Sequence, residues 1–153
     1  MTRTVLVTFL VAVGAIGAPA PASARPAGPA LKMTVYKSPT CGCCAKWVEH
    51  MKQAGFDMEV NETPNVGLVK VEHHVPADLA SCHTALVGGY VIEGHVPADV
   101  VEKLLKEKPD IAGLAVPGMP MGAPGMEGDG SRKDHYDIIA FRADGSHYVY
   151  ASR

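Results

Sequence analysis

The sequence predicts an α/β fold, and three observations carry that prediction. A β-like run, Met33-Thr34-Val35-Tyr36-Lys37, is followed by apolar residues at helical spacing, Cys44, Trp47, Val48 and Met51, and then by a second alternating run, Phe56-Asp57-Met58-Glu59-Val60. Two short apolar runs, Thr84 to Val87 and Tyr90 to Ile92, flank Gly88-Gly89, the pattern of a β-hairpin. A further helical stripe, Val100, Val101, Leu104 and Leu105, follows Pro97, a helix-starting proline.

The length of 153 residues suits one domain behind a leader. Met1-Thr2-Arg3 is a short basic start, Val5 to Ala18 is an apolar run too short to span a bilayer comfortably, and Ala22-Ser23-Ala24 fits a small-x-small cleavage site. Residues 1–24 therefore read as a secretory signal peptide, residues 25–32 as a flexible leader, and residues 33–153 as the domain. Losing residues 1–24 removes Arg3 and no acid, which leaves 13 of the 14 basic residues against 16 acidic ones, a net charge of −3. No basic patch points to nucleic acid, and no second apolar segment points to a membrane span. Outside the cytoplasm, free thiols oxidise unless a metal or a reductant protects them.

Taken in order, the first strand breaks at Ser38-Pro39-Thr40, and the helix that follows ends near Gly55. The second strand is expected to run parallel to the first, because a helix joins them. Asn65 to Glu72 reads as a short helix with Val66, Leu68 and Val69 inward, stopped at Val75-Pro76. The hairpin comes next, then the helix that carries Lys103, Lys106 and Lys108 towards its C-terminus. The order β-α-β-α-β-β-α matches a thioredoxin-like topology. From Ile111 to Gly130 no hydrophobic period survives, and Pro117 to Met126 is a Gly/Pro-rich loop studded with methionines. Tyr136 to Phe141 and His147 to Tyr150, around Ala143-Asp144-Gly145-Ser146, read as a second β-hairpin appended at the C-terminal end.

The chemistry concentrates in Cys41-Gly42-Cys43-Cys44, three thiols in four residues at a strand-to-helix turn. Free backbone N–H groups and the positive end of the helix dipole favour thiolate there. Two readings stay open. Cys41 and Cys44 form a C-x-x-C redox pair, with Cys41 the nucleophile and Cys44 the resolving thiol, or all three cysteines bind a soft ion, for which thiolates and thioethers favour Cu(I). The plain alternative is one structural disulfide with a spare thiol. Adjacent Cys43 and Cys44 suit a closed tetrahedral zinc site poorly. Copper(I) accepts two or three sulfurs, and thiolates bridge ions, so a mononuclear or a multinuclear copper site fits.

Cys82 supplies a fourth thiol at the start of the third strand, which a thioredoxin-like topology places beside the C-x-x-C turn. His83 would point away from Cys82 in a regular strand, so it stands between a ligand and a hydrogen-bonded role. Met119, Met121 and Met126 are further candidate ligands, since a loop without apolar period is a poor place for core methionines. Met51 and Met58 are expected in the core. His50, His73, His74, His95, His135 and His147 show no metal spacing, and His95 in Glu93-Gly94-His95-Val96-Pro97 reads as a turn residue.

The run Val35 to Cys44 with Trp47, then Ser81-Cys82-His83-Thr84-Ala85, Glu93 to Ala98 and Gly113 to Pro120, resembles the CopG-like family of bacterial periplasmic metal-binding proteins. The four motifs occur in order and span about Met33 to Ala151. The resemblance implies a thioredoxin-like fold, a periplasmic location, a Cys-x-Cys-Cys copper site at Cys41, Cys43 and Cys44, and a part in copper resistance through copper redox chemistry. It carries Cys82 and the methionines more weakly. The partners expected are copper ions and other envelope copper-handling proteins, a copper metallochaperone being a further alternative.

Overall fold

A computed structural model describes residues 30–153, so the expected signal peptide and most of the expected leader lie outside the described residues. The elements are β1 (Lys32–Lys37), α1 (Gly42–Gln53), β2 (Asp57–Glu62), α2 (Val66–Glu72), a 3-10 turn (Ala77–Leu79), β3 (His83–Val87), β4 (Tyr90–Glu93), α3 (Ala98–Glu107), β5 (Gly113–Ala115), β6 (Asp137–Phe141) and β7 (His147–Ser152). The strands form one sheet in the order β2-β1-β3-β4-β5-β6-β7. β1 pairs with β2 and β4 with β5 in parallel, while the remaining neighbours are antiparallel. The architecture is mixed α/β, as expected.

The helical stripe of α1 is the face that the sheet covers, for Cys44, Trp47, Val48 and Met51 are all buried. Those residues pack with Val100, Val101 and Leu104 of α3 against Met33, Val35, Ala85, Val87, Ile92 and Leu114 of the sheet. Each large side chain buried in this way contributes roughly 1.5–3 kcal/mol. The helix ends at Ala54, after which Gly55 takes φ +95°, a left-handed turn open to glycine. On the opposite face a smaller cluster forms from Leu79, Val91, Ala115 and Phe141. Met51 is fully buried, and Met58 packs against the core from a half-buried position.

Two local expectations need correction. β5 lies in a stretch expected to lack regular structure. Its three residues are buried on both sides between β4 and β6, and a doubly covered strand shows no alternation to read. α2 forms, but Leu68 points outward at 69% exposure, and the inward position is held by Lys70. Val60 is 39% exposed, because β2 is an edge strand with little packed against it.

The C-terminal strands join through β5. Leu114 stands between Ile92 on one side and Ala140 on the other, so β6 and β7 extend the same sheet. β6 and β7 are antiparallel, with Phe141 opposite His147. The chain between β5 and β6 folds back over the start of α1, where Gly125 packs against the backbone of Cys43 and Trp47.

Candidate metal centre

Cys41 is the N-cap residue of α1, and its Sγ accepts the backbone N–H of Cys44 at 3.3 Å. A sulfur there sits against the positive end of the helix dipole. Cys41 and Cys44 are joined by a disulfide, with Cα atoms 5.3 Å apart. Cys43 Sγ lies 3.5 Å from Cys41 Sγ, and Cys44 Sγ lies 3.9 Å from the carbonyl oxygen of Cys82. The four sulfurs of Cys41, Cys43, Cys44 and Cys82 all fall within 4.8 Å of one another. Cys43 and Cys82 are free and half-buried.

Cys82 is placed by the β3–β4 hairpin. Thr84 pairs with Glu93, and the Gly94 N–H donates to His83 O at 2.9 Å. Carried one pair further, that register sets Cys82 opposite His95. His95 Nε2 is 3.0 Å from Cys82 Sγ, and His95 Nδ1 is 2.7 Å from Pro124 O. A carbonyl oxygen only accepts, so Nδ1 carries the proton and the bare lone pair of Nε2 faces the sulfur. His83 Nδ1 lies 3.3 Å from the same sulfur. The donor atoms of Cys82, His83 and His95 form a second group within 4.8 Å. His83 is fully buried, its ring 4.3 Å from Trp47 and 5.1 Å, edge-on, from His95.

A buried ionic clamp holds this corner. The carboxylate of Glu93, fully buried, accepts from Ser81 N–H at 2.6 Å and Lys70 Nζ at 2.5 Å through one oxygen, and from Thr84 Oγ1 at 2.7 Å through the other. Gly94 takes φ +70° with Ser81 packed against it, so a Cβ would stand 2.5 Å from Ser81 Oγ. Trp47 Nε1 donates to Val96 O at 2.9 Å and ties α1 to the His95 turn.

Burial, reinforced by the neighbouring Cys43, pushes the Cys82 thiol up to about 11. Burial also holds His83 well below the usual imidazole range, with the nearby His95 and Lys70 adding to the effect. His95 is lowered mainly by burial. At neutral pH this corner thus presents a protonated thiol and two neutral imidazoles. An incoming metal ion has one proton to displace and finds nitrogen lone pairs ready.

The methionines divide. Met121 and Met126 line an open groove of about 340 Å³ with Gly42, Cys43, Lys46, Gly125 and Gly128, whereas Met119 is 54% exposed and lies outside it. The loop lies so close to α1 that a Cβ on Gly125 (φ +84°) would stand 2.7 Å from Cys43 O and 2.9 Å from Trp47 N. A larger open groove of about 690 Å³, between Pro117, Pro120 and the His135–Asp137 segment, holds no sulfur donor.

The four cysteines that the sequence nominated are brought together. His83 lies within reach of Cys82 rather than turned away, because Cys82 precedes the first regular residue of β3. His95, read from the sequence as a turn residue, is a fully buried neighbour of Cys82. A signal for it was available. The two-residue turn at Gly88-Gly89 fixes the hairpin register, and counting back from it pairs residue 82 with residue 95.

No helix among the described residues is long and apolar enough to cross a membrane. A family profile described as "Protein of unknown function, DUF411" matches residues 79–126, which contain Cys82, His83, His95 and the methionine loop. Two solved structures, titled "Copper resistance protein copG- Form 2" and "Copper resistance protein copG- Form 1", are each 39% identical to this chain. Each match covers 81% of this chain and 98% of the other, with TM-scores of 0.77 and 0.76. No curated protein matches.

Proposed function

The chain belongs to the CopG-like family, and from that membership we propose that it binds copper as Cu(I) through Cys41, Cys43, Cys44 and Cys82 in the service of copper resistance. The observation that carries this reading is the convergence of four sulfurs within 4.8 Å, drawn from two segments far apart in sequence. Low-coordinate Cu(I) is satisfied by two or three such sulfurs, and bridging thiolates allow several ions. Met121 and Met126 flank the outer side of Cys43 and suit the approach of a soft ion. The β2-β1-β3-β4 order, with β3 antiparallel to its neighbours, supports a thioredoxin-like reading of the fold. The expected signal peptide supports a periplasmic location for this activity.

The closed Cys41–Cys44 pair favours a redox component. When two thiols become a disulfide, two electrons and two protons leave, enough to convert two Cu(II) ions to Cu(I). A thiol reductant supplying two electrons reopens the pair. The same disulfide supports a second reading, a thiol–disulfide oxidoreductase in which Cys43 has no part.

One experiment separates the two. The reduced protein is loaded anaerobically with Cu(I) beside a Cys43→Ser variant, and metal content and sulfur–metal X-ray absorption are recorded. Sulfur-only ligation with reduced capacity in the variant supports the copper reading. Loss of copper to a weak chelator, with disulfide reduction undiminished in the variant, would transfer the assignment to the oxidoreductase.

A further inference from the structure

A small molecule that enters the groove beside α1 meets the sulfur of Cys43 and not the disulfide. We propose that Cys43 relays reducing equivalents to the closed Cys41–Cys44 pair, by exchanging with Cys41 and then accepting a small-molecule thiol from the groove. The inference rests on the redox component of the proposed function, and it names the route and the chemical class of the reductant.

The two bonded sulfurs are poorly placed for direct attack. Cys44 is fully buried, so no thiol from outside reaches its Sγ. Cys41 is half-buried, and Cys43 Sγ already stands against its Sγ at 3.5 Å. Reacting atoms poised for attack lie about 3–3.5 Å apart. Cys43 is a free thiol, while the other free thiol, Cys82, is engaged by the ring nitrogens of His83 and His95.

The groove supplies the outer end of the route. Its volume of about 340 Å³ suits a small ligand, and its lining includes Cys43, Lys46, Met121 and Met126 but neither Cys41 nor Cys44. The methionine loop is packed down on the far side, with Gly125 against the backbone of Cys43 and Trp47. A thiol of a few heavy atoms fits the open groove without moving that loop.

Each step is the attack of a thiolate on a sulfur. Cys43, deprotonated, bonds to Cys41 Sγ while the Cys41–Cys44 bond breaks, and Cys44 takes up the proton that Cys43 gave up. The thiol so formed donates to Cys82 O, 3.9 Å from its sulfur. The new Cys41–Cys43 disulfide has one sulfur in the groove. There the thiolate of a first reductant molecule bonds to Cys43 Sγ, and Cys41 leaves as a thiolate. Cys41 is suited to leave, since its Sγ accepts the Cys44 N–H at 3.3 Å and caps the positive end of α1. A second molecule then attacks the reductant's own sulfur, releasing Cys43 and a small-molecule disulfide. Two reductant thiols thus give up two electrons and two protons, and the Cys41–Cys44 pair receives them.

The test uses the metal-free protein with the disulfide closed, and 2-mercaptoethanol as the reductant. Samples are quenched with an alkylating agent, and tandem mass spectrometry locates each sulfur bond. A mercaptoethanol adduct on Cys43 is expected, with a Cys41–Cys43 disulfide as a transient species. Cys43→Ser should slow reduction by about 100-fold or more, because an internal thiol acts at an effective concentration far above that of a dissolved one. Adducts on Cys41 with Cys43 still free, or an undiminished rate in folded Cys43→Ser protein, overturn the relay. If that variant fails to fold, the adduct map of the wild-type protein decides alone. Folded Cys44→Ser protein, treated with the disulfide of mercaptoethanol, should close a Cys41–Cys43 bond, and failure to close it also overturns the relay. Cu(I) retention by the reduced wild-type protein is measured in parallel. The sulfur map judges the relay and copper retention judges the copper reading, so either can fail without the other.

Discussion

Glu93 accepts the backbone N–H of Ser81 at 2.6 Å, so the residue before Cys82 hangs from a fully buried carboxylate. Lys70 neutralises that carboxylate from α2, a helix that buries none of its own residues. An element with almost no packing of its own is thereby coupled to the position of one sulfur.

Replacing Glu93 by Gln leaves Lys70 facing a neutral amide and weakens the bond to Ser81. Breaking one side of a buried pair costs about 3–5 kcal/mol. Urea denaturation of the metal-free protein should show a loss near the lower end of that range, because Lys70 keeps some contact with solvent. Cu(I) affinity in competition with a chelator should fall as well. A Lys70→Met, Glu93→Gln double variant should recover part of the stability. If the double variant is less stable than both single ones, the clamp does not act as a pair.

The thiol of Cys82, pushed up to about 11, should react slowly with alkylating agents. With the disulfide closed and at pH 7.5, it should label on the order of 10²-fold more slowly than an ordinary thiol of pKa about 8.5. Mass spectrometry of the labelled protein reads the rate directly. Metal binding must displace the same proton, so affinity should rise up to about tenfold per pH unit across the neutral range. A flat profile would show that Cys82 is not a ligand.

Acid should weaken the metal-free protein before its carboxylates titrate. His83 and His95 both have folded pKa values below that of an unfolded histidine, near 6.5. The unfolded chain therefore binds more protons than the folded one just below pH 6.5. Stability is complete above that pH and falls as pH drops, by up to about 1.4 kcal/mol per pH unit for each histidine. Denaturation at pH 7.5, 6.0 and 5.0 should follow this slope, and His95→Gln should make it shallower. The lowered carboxyls of Glu127, Asp129, Asp134 and Asp144 act only in a more acidic window.

Gly125→Ala should lift the methionine loop from α1. The added Cβ meets backbone atoms of Cys43 and Trp47, which cannot swing aside as a side chain would, and the φ of +84° disfavours alanine as well. A stability loss of about 1–3 kcal/mol is expected. Copper exchange with an external chelator should become faster. Unchanged exchange in a destabilised variant would mean that the loop does not cover the site.

Much of this protein can be read along the chain. The stripe of Cys44, Trp47, Val48 and Met51 identifies α1 and its buried face, because a helix repeats every 3.6 residues whatever surrounds it. Gly88-Gly89 identifies the hairpin for an equally local reason, the left-handed φ at both positions. Three cysteines beside a helix start announce reactive sulfur. Tertiary structure alone decided the rest. β5 exists because β4 and β6 hydrogen-bond to both its edges, and Leu68 faces outward because Lys70 is drawn inward to Glu93. Neither outcome leaves a period in the sequence. The meeting of Cys82 with the α1 cysteines depends on a parallel crossover, of which the dipeptide Cys82-His83 carries no trace, whereas its pairing with His95 follows from the register that Gly88-Gly89 fixes. Local periodicity reports which face of an element is apolar; only packing decides what stands opposite it.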